Sequence, residues 1–186
     1  MIVLSNAHHK RWPGARNESI GMDEYTYSCE INRKIANLFT MEMPDEGVYI
    51  LDQSWKTSYN ESLREKVKMI NSLKPDLAVE NHLNAVEDTT VQGCETLHYP
   101  DSIKGTKLAS LIQEEILGLR EIRIDRGLKQ STVLLLRGTT VTTVITEPLF
   151  ISNQGAILLL DEKFMDKLAR AIYTGIVNFL ESERNE

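Results

Sequence analysis

Short apolar segments alternate with amphipathic helical segments along most of this 186-residue chain. Segments such as 141–146 are rich in β-branched residues, as buried strands are. Between such segments, apolar residues recur at helical spacing, for example Leu63, Val67 and Ile70. Strands that alternate with helices predict an α/β domain whose sheet is covered by helices on both faces.

The pattern divides into predicted strands and helices as follows. The predicted strands are 2–4, 47–51, 77–81, 93–99, 132–136 and 141–146. The predicted helices are 22–38, 57–73, 102–117 and 161–181. We therefore expect a single domain over residues 1–181, built on a mixed sheet of about six strands, followed by a frayed tail at 182–186.

Composition excludes several classes of protein. The 21 basic and 27 acidic residues give a net charge of −6 and form no basic stripe, so we expect no binding to nucleic acid. The longest apolar runs are far too short to cross a bilayer, so we expect no membrane span. The start of the chain has no apolar stretch of signal length, which predicts synthesis in the cytoplasm and, for any action elsewhere, release or export.

The two cysteines, Cys29 and Cys94, are too few for a disulfide framework. We expect both to be reduced and to pack as small apolar side chains. A single bridge between them is the alternative.

Titratable side chains stand where predicted strands end, which is where open α/β sheets place their sites. His8 follows the first strand, His82 ends the third, and Glu147 ends the last. Glu24 lies near the start of the first helix. Two imidazoles and a carboxylate from separate elements match a catalytic zinc set with a fourth position left for water. Their spacing alone matches no short metal motif.

Six segments carry motifs that can be compared with a known family. They are A-H-H-K-R-W-P-G-A at 7–15, K-V-K-M-I-N at 66–71, E-N-H-L-N-A at 80–85, G-C-E-T-L-H-Y at 93–99, R-G-L-K at 126–129 and E-P-L-F-I-S-N at 147–153. In this order, the corresponding family motifs are G-H-G-G-x-D-P-G-A, R-V-x-x-A-N, S-I-H-x-N-A, G-x-E-x-x-Y, R-G-x-K and E-x-x-F-I-S-N. Over nearly its whole length the chain therefore resembles the zinc-dependent N-acetylmuramoyl-L-alanine amidases of bacterial autolysins and phage endolysins.

The resemblance implies a function and a set of site residues. It makes His8, Glu24 and His82 the ligands of Zn²⁺ and Glu147 the catalytic glutamate that takes a proton from the attacking water. The substrate it implies is peptidoglycan, cut at the amide between N-acetylmuramic acid and L-alanine. Glu18 is a rival to Glu24, and the apolar spacing after Glu24 favours Glu24.

The chain departs from the family motif at Glu80, where the family carries serine. Side chains two apart in a strand share a face, so Glu80 points the same way as His82 and could orient a ligand imidazole. A salt bridge with a nearby lysine or arginine is the alternative. On the first interpretation, Glu80→Ser should weaken zinc retention and leave the stability of the metal-free protein nearly unchanged.

Two other functions remain open from the sequence. A related zinc exopeptidase would need a fixed cation for a terminal carboxylate, and Arg126, Lys129 or Arg137 could supply it. A catalytically silent wall-binding module would be expected to lack ligands or Glu147, and this chain lacks none of them. His9 and His98 have no motif support as ligands. A monomer is favoured.

Overall fold

A six-stranded mixed sheet forms the centre of the computed structural model, which describes residues 1–52, 56 and 58–185. Its strands are β1 (Ile2–Asn6), β4 (Val48–Leu51), β5 (Leu77–Asn81), β6 (Cys94–His98), β7 (Asp125–Gln130) and β8 (Thr142–Glu147). A separate two-stranded ribbon joins β2 (Arg16–Asn17) to β3 (Met22–Asp23). The helices are α1 (Glu24–Glu42), α2 (Tyr59–Leu73), α3 (Ile103–Leu117), α4 (Leu134–Gly138), α5 (Glu162–Arg184) and the 3-10 helix Gln154–Leu160.

The order of the strands is β4-β1-β5-β8-β6-β7. Strands β4, β1, β5 and β8 are parallel, whereas β6 runs antiparallel to β8 and parallel to β7. The carboxyl ends of β1, β5 and β8 therefore lie beside the start of β6 at one end of the sheet. This end carries the polar residues that the sequence singled out.

Helices cover both faces of the sheet, so the expected α/β architecture is confirmed. Alternate residues of β1 face opposite sides: Ile2 and Leu4 belong to the larger core under α1, α3 and α5, and Val3 belongs to the smaller core under α2 and α4. Gly175 lets α5 lie against α3, because a Cβ there would come within 2.6 Å of the Ile112 backbone.

One predicted strand, 132–136, is wrong, and the strand that replaces it in the sheet is 125–130. Residues 134–138 form the short helix α4, which buries Leu135 and Leu136 in the smaller core. Strand β7 lies at the edge of the sheet and is half-exposed or exposed along its length. Its polar sequence, Asp-Arg-Gly-Leu-Lys-Gln, carries no strand signal because an edge strand needs little apolar surface. The R-G-L-K segment at 126–129, which lies in none of the predicted elements, is thus part of a strand.

The predicted C-terminal boundary also moves. Helix α5 continues to Arg184, where a frayed tail was expected from 182, and residue 186 lies outside the described residues. Glu183 pairs with Lys104 and Lys107 of α3, and Arg184 pairs with Glu46, so these ion pairs hold the last turn. Both cysteines are free, with Cys94 buried and Cys29 half-buried. Within the described part of the chain, no helix is long and apolar enough to cross a membrane.

Candidate active site

Four separate elements place the predicted site residues at the same end of the sheet. His8 lies two residues after β1, His82 directly follows β5, and Glu147 is the last residue of β8. Glu24 is the first residue of α1. Thr146 pairs with Asn81 in the β5–β8 ladder and accepts a hydrogen bond from the His82 amide at 2.9 Å, so Glu147 and His82 end neighbouring strands side by side.

His8, Glu24 and His82 form a cluster that could hold a metal ion, with one donor atom of each within 4.8 Å of the others. Glu24 Oε2 lies 3.1 Å from His8 Nε2 and 3.0 Å from His82 Nδ1. Burial alone would raise the pKa of Glu24, but the hydrogen bonds with His8 and His82 outweigh it and bring that pKa down to about 2. Glu24 is thus a carboxylate, which is the state that a metal ligand requires.

The Pro13-Gly14-Ala15 segment wraps around the start of α1 and fixes Glu24. The Ala15 amide donates to Glu24 Oε1 at 2.8 Å, and Pro13 O accepts from the Tyr25 amide at 3.0 Å. Gly14 has φ +80, and a Cβ there would lie 2.5 Å from the His8 ring and 2.8 Å from Glu24 Oε1. Only glycine fits this close approach, which gives the P-G-A motif a physical reason.

The backbone at His8 is in the left-handed region, with φ 59, which is uncommon for a residue other than glycine. The Ala7 amide before it donates to Ser28 Oγ of α1 at 2.8 Å. Among the described residues, His8 Nδ1 is a buried nitrogen with no hydrogen-bond partner. An orphaned imidazole nitrogen beside a second imidazole and a buried carboxylate fits a metal-binding role, and this donor set is one that Zn²⁺ takes.

Glu80 makes both of the contacts that the sequence suggested as alternatives. Its Oε1 lies 2.9 Å from His82 Nε2, and its Oε2 accepts from Lys66 Nζ at 2.7 Å and from Ser5 Oγ at 2.5 Å. Burial by itself would lower the pKa of His82, but its hydrogen bonds to Glu24 and Glu80 raise it to about 9 in the metal-free protein. Burial would raise the pKa of Glu80, and the charges of Lys66 and His82 instead lower it to about 2.

Glu147 lies opposite a second carboxylate. It pairs with Glu95 in the antiparallel β6–β8 ladder. Burial raises the pKa of Glu147 to about 7; the positive charge of His82 opposes this rise, while the charge of Glu95 and a hydrogen bond with it add to it. A carboxyl group with a pKa near neutrality can both accept and release a proton under ordinary conditions.

The three cations proposed for substrate contact lie in different places. Arg126 stands at the edge of the site, where its Nε donates to Glu95 Oε2 at 2.6 Å. Lys129 pairs with Leu97 further along β7, and its Nζ donates to the Arg126 carbonyl at 2.7 Å. Arg137 lies in α4. The Gly138 carbonyl of this helix accepts a hydrogen bond from Asn71, near the end of α2, and α2 leads into the start of β5. Arg137 is therefore at the opposite end of the sheet.

The remaining alternatives among the acids and histidines lie outside the cluster. Glu18 is on the surface, with a side chain that is 80% exposed, and it is not part of the cluster that contains Glu24. His9 accepts a hydrogen bond from the Arg11 amide at its Nδ1. His98 is buried at the far end of β6 and contacts the Tyr99 carbonyl and Thr106.

Lys66 is a site residue that the sequence reasoning missed. It lies within the apolar stripe of α2, three residues after Leu63 and four before Ile70. A lysine in such a stripe is buried and needs a fixed partner, so a buried ion pair at Lys66 could have been predicted from the sequence. Tyr59 was also missed: its ring centroid lies 6.3 Å from that of His8, and no spacing pointed to it.

Known proteins resemble this chain in sequence. The chain is 30% identical over 120 residues to the germination-specific N-acetylmuramoyl-L-alanine amidase of Bacillus subtilis, which covers 64% of the chain and 51% of that protein. It is 29% identical over 188 residues to the endolysin of Bacillus phage SPP1, covering 97% of the chain and 66% of the endolysin. The chain thus spans about half of the first relative's length and just under two thirds of the second's.

Solved structures show the same fold. The CwlD amidase of Clostridioides difficile, in complex with the GerS lipoprotein, superposes with a TM-score of 0.86 at 27% identity, covering 97% of this chain and 98% of that one. The catalytic domain of the CD27L endolysin, which targets Clostridia difficile, gives a TM-score of 0.81 at 25% identity, covering 95% and 96%. The family model described as N-acetylmuramoyl-L-alanine amidase matches residues 2–178. The fold, the motifs and this match together make the chain a member of the N-acetylmuramoyl-L-alanine amidase family.

Proposed function

We propose that this chain hydrolyses the amide bond between N-acetylmuramic acid and the L-alanine of the stem peptide in peptidoglycan, with Zn²⁺ held by His8, Glu24 and His82. It would act as a monomer, through residues 1–181 as one catalytic domain. Its place of action would be the cell wall, reached from the cytoplasm by release or export.

The observation that carries this proposal is the convergence of side chains that are distant in sequence. Residues 8, 24 and 82 come from three elements, and their donor atoms lie within 4.8 Å of one another. The carboxyl of Glu147 ends the strand next to the one that His82 follows. Family membership then names the bond that such a site would cut.

The chain's own residues divide the chemistry among them. A zinc ion bound here would polarise the amide carbonyl and make water a better nucleophile at neutral pH. Glu147 accepts the proton that water loses as its oxygen bonds to the carbonyl carbon, and then delivers this proton to the nitrogen as the C–N bond breaks. With zinc bound, Glu80 would accept the Nε2–H of His82, which would leave the Nδ1 of His82, on the side of Glu24, as the lone-pair donor to the metal.

The two other interpretations have less support. An exopeptidase needs an available cation near the reacting bond. Arg137 lies at the opposite end of the sheet, Arg126 Nε is paired with Glu95, and Lys129 Nζ donates to the Arg126 carbonyl. A silent binding module has no need for three convergent donors and a carboxyl group whose pKa is raised to about 7.

The test is digestion of purified peptidoglycan followed by mass spectrometry. We expect fragments with a free N-terminal L-alanine and N-acetylmuramic acid with a free lactyl carboxyl group. Glu147→Gln should keep its metal and lose turnover by about 100-fold or more, the scale expected for a missing general base. Glu114→Gln, an exposed change on α3, is the matched control and should behave as wild type. Free reducing ends without free L-alanine would mean that the enzyme cuts the sugar chain and that the proposal is wrong.

A further inference from the structure

Four motifs from distant parts of the sequence converge beside Glu147. They supply Asn84 from 80–85, Glu95 from 93–99, Arg126 from 126–129 and Phe150 from 147–153. We propose that Glu95 is a positioning residue, which Asn84 and Arg126 hold in place so that it can orient the carboxyl group of Glu147. This inference rests on the proposed function, because it assigns Glu147 the proton transfer.

Both oxygens of Glu95 are occupied by donors from neighbouring elements. Asn84 Nδ2 donates to Oε1 at 2.7 Å, and Arg126 Nε donates to Oε2 at 2.6 Å. The residue is buried, with only 8% of its surface exposed. A carboxylate held at both oxygens has little rotational freedom, so Glu95 presents a fixed charge and a fixed acceptor.

The two donors are themselves held in place. The Asn84 amide donates to the Leu149 carbonyl at 2.9 Å, and the Asn84 carbonyl accepts from the Ile151 amide at 2.8 Å. The guanidinium carbon of Arg126 lies 5.0 Å from the centroid of the Phe150 ring, which supports a cation–π contact. The segment that directly follows Glu147 is therefore tied to both residues that hold Glu95.

Glu95 meets Glu147 across the ladder. The two residues are direct partners in the antiparallel β6–β8 pair, so their side chains lie on one face at close range. Glu95 raises the pKa of Glu147 through its charge and through a hydrogen bond, which two carboxyl groups form when they share a proton. Because Asn84 and Arg126 fix the two oxygens of Glu95, the orientation of the Glu147 carboxyl group is set by the position of Glu95.

The charged groups around Glu147 come from several elements. Glu95 of β6 and Glu24 of α1 favour its protonated form, and His82, after β5, opposes them. Arg126 of β7 donates to Glu95, the carboxylate opposite Glu147. Removing the charge of Glu95 takes away a like charge, so Glu147 should lose its proton at a lower pH.

The experiment compares Glu95→Ala and Glu95→Gln with wild type and with Glu114→Ala, using the zinc-loaded proteins and a soluble muramyl peptide. For Glu95→Ala we expect kcat to fall about 10–100-fold, because a displacement of about 1 Å can cost roughly that much. KM should stay within about twofold, and zinc content should be unchanged. For Glu95→Gln the acidic limb of the kcat/KM profile should move to lower pH, a shift that a purely structural role would not produce.

The outcomes separate this inference from the proposed function. A wild-type protein that releases no L-alanine would overturn both. An active wild type with Glu95→Ala at full kcat, or with a Glu95→Gln acidic limb that does not move, would overturn the inference alone. If Glu95→Ala does not fold, Asn84→Ala releases one of the two donors, and an unchanged kcat in that variant together with an unmoved acidic limb in Glu95→Gln would count against the positioning role.

Discussion

Glu80→Ser is expected to destabilise the protein and to weaken its metal affinity through two different partners. The ammonium group of Lys66 is on a side chain that is only 1% exposed, and its partners are Glu80 Oε2 and the Asn6 carbonyl, each at 2.7 Å. Removing Glu80 leaves this charge buried without a counter-ion. Breaking a buried pair in this way costs about 3–5 kcal/mol. The sequence alone suggested no change in metal-free stability, and the buried lysine reverses that expectation.

A second substitution separates the two effects. In Glu80→Ser/Lys66→Met both members of the ion pair are gone, so no charge is left buried without a counter-ion. We therefore expect the double variant to recover most of the roughly 3–5 kcal/mol. His82 Nε2 still lacks its acceptor, so zinc affinity should stay about 10–100-fold below that of wild type.

Two assays read these quantities independently. Urea unfolding of the chelated proteins gives the free energy of unfolding, and competition with a chromogenic chelator gives the zinc affinity. A Glu80→Ser protein with wild-type stability would refute the argument from the buried lysine. A double variant that recovers zinc affinity together with stability would show that Glu80 acts on the fold alone and not on His82.

Three further predictions concern the ligand cluster. His82→Ala should lose zinc from the purified protein; metal analysis that finds equal zinc in wild type and in His8→Ala/His82→Ala would remove the assignment. The pKa of His82 in the metal-free fold is about 9 against a reference value of 6.5, so the contribution of protonated His82 to the free energy of unfolding is fully present below pH 6.5 and should be lost as the pH rises toward 9. Chelated protein that is equally stable at both pH values contradicts this. Gly14→Ala should weaken zinc binding, because its Cβ would crowd the His8 ring, whereas Gly21→Ala, at φ +65 with nothing within 4 Å, should cost only backbone strain of about 1 kcal/mol and keep the zinc. Chelator competition on both variants checks the difference, and equal zinc affinity would count against the close approach.

The sequence by itself was enough for the buried centre of the fold. Strands β1, β5 and β8 are covered on both faces, so they are rich in apolar or β-branched residues, a signal that can be read without a structure. The edge strand β7 could not be read in this way, because hydrogen bonds to β6 hold it and its polar side chains remain in solvent. The three leucines of α4 looked like a strand since a short apolar run fits either structure, and only packing against α2 decides between them.

For the site, the sequence identified the residues and the tertiary structure determined their contacts. His8, His82 and Glu147 could be named from the sequence because each stands at an element boundary inside a recognisable motif. Glu24 could be named because it lies near the start of the predicted helix that follows the first motif. Sequence also placed Glu80 on the face of His82, because a strand repeats every two residues. Which partners these groups meet was decided by tertiary structure: Lys66 reaches Glu80 from a helix on one face of the sheet, and Glu95 reaches Glu147 through the register of two antiparallel strands. Local periodicity determines the direction of a side chain, but contacts between distant segments depend on strand order and register, which exist only once the sheet has formed.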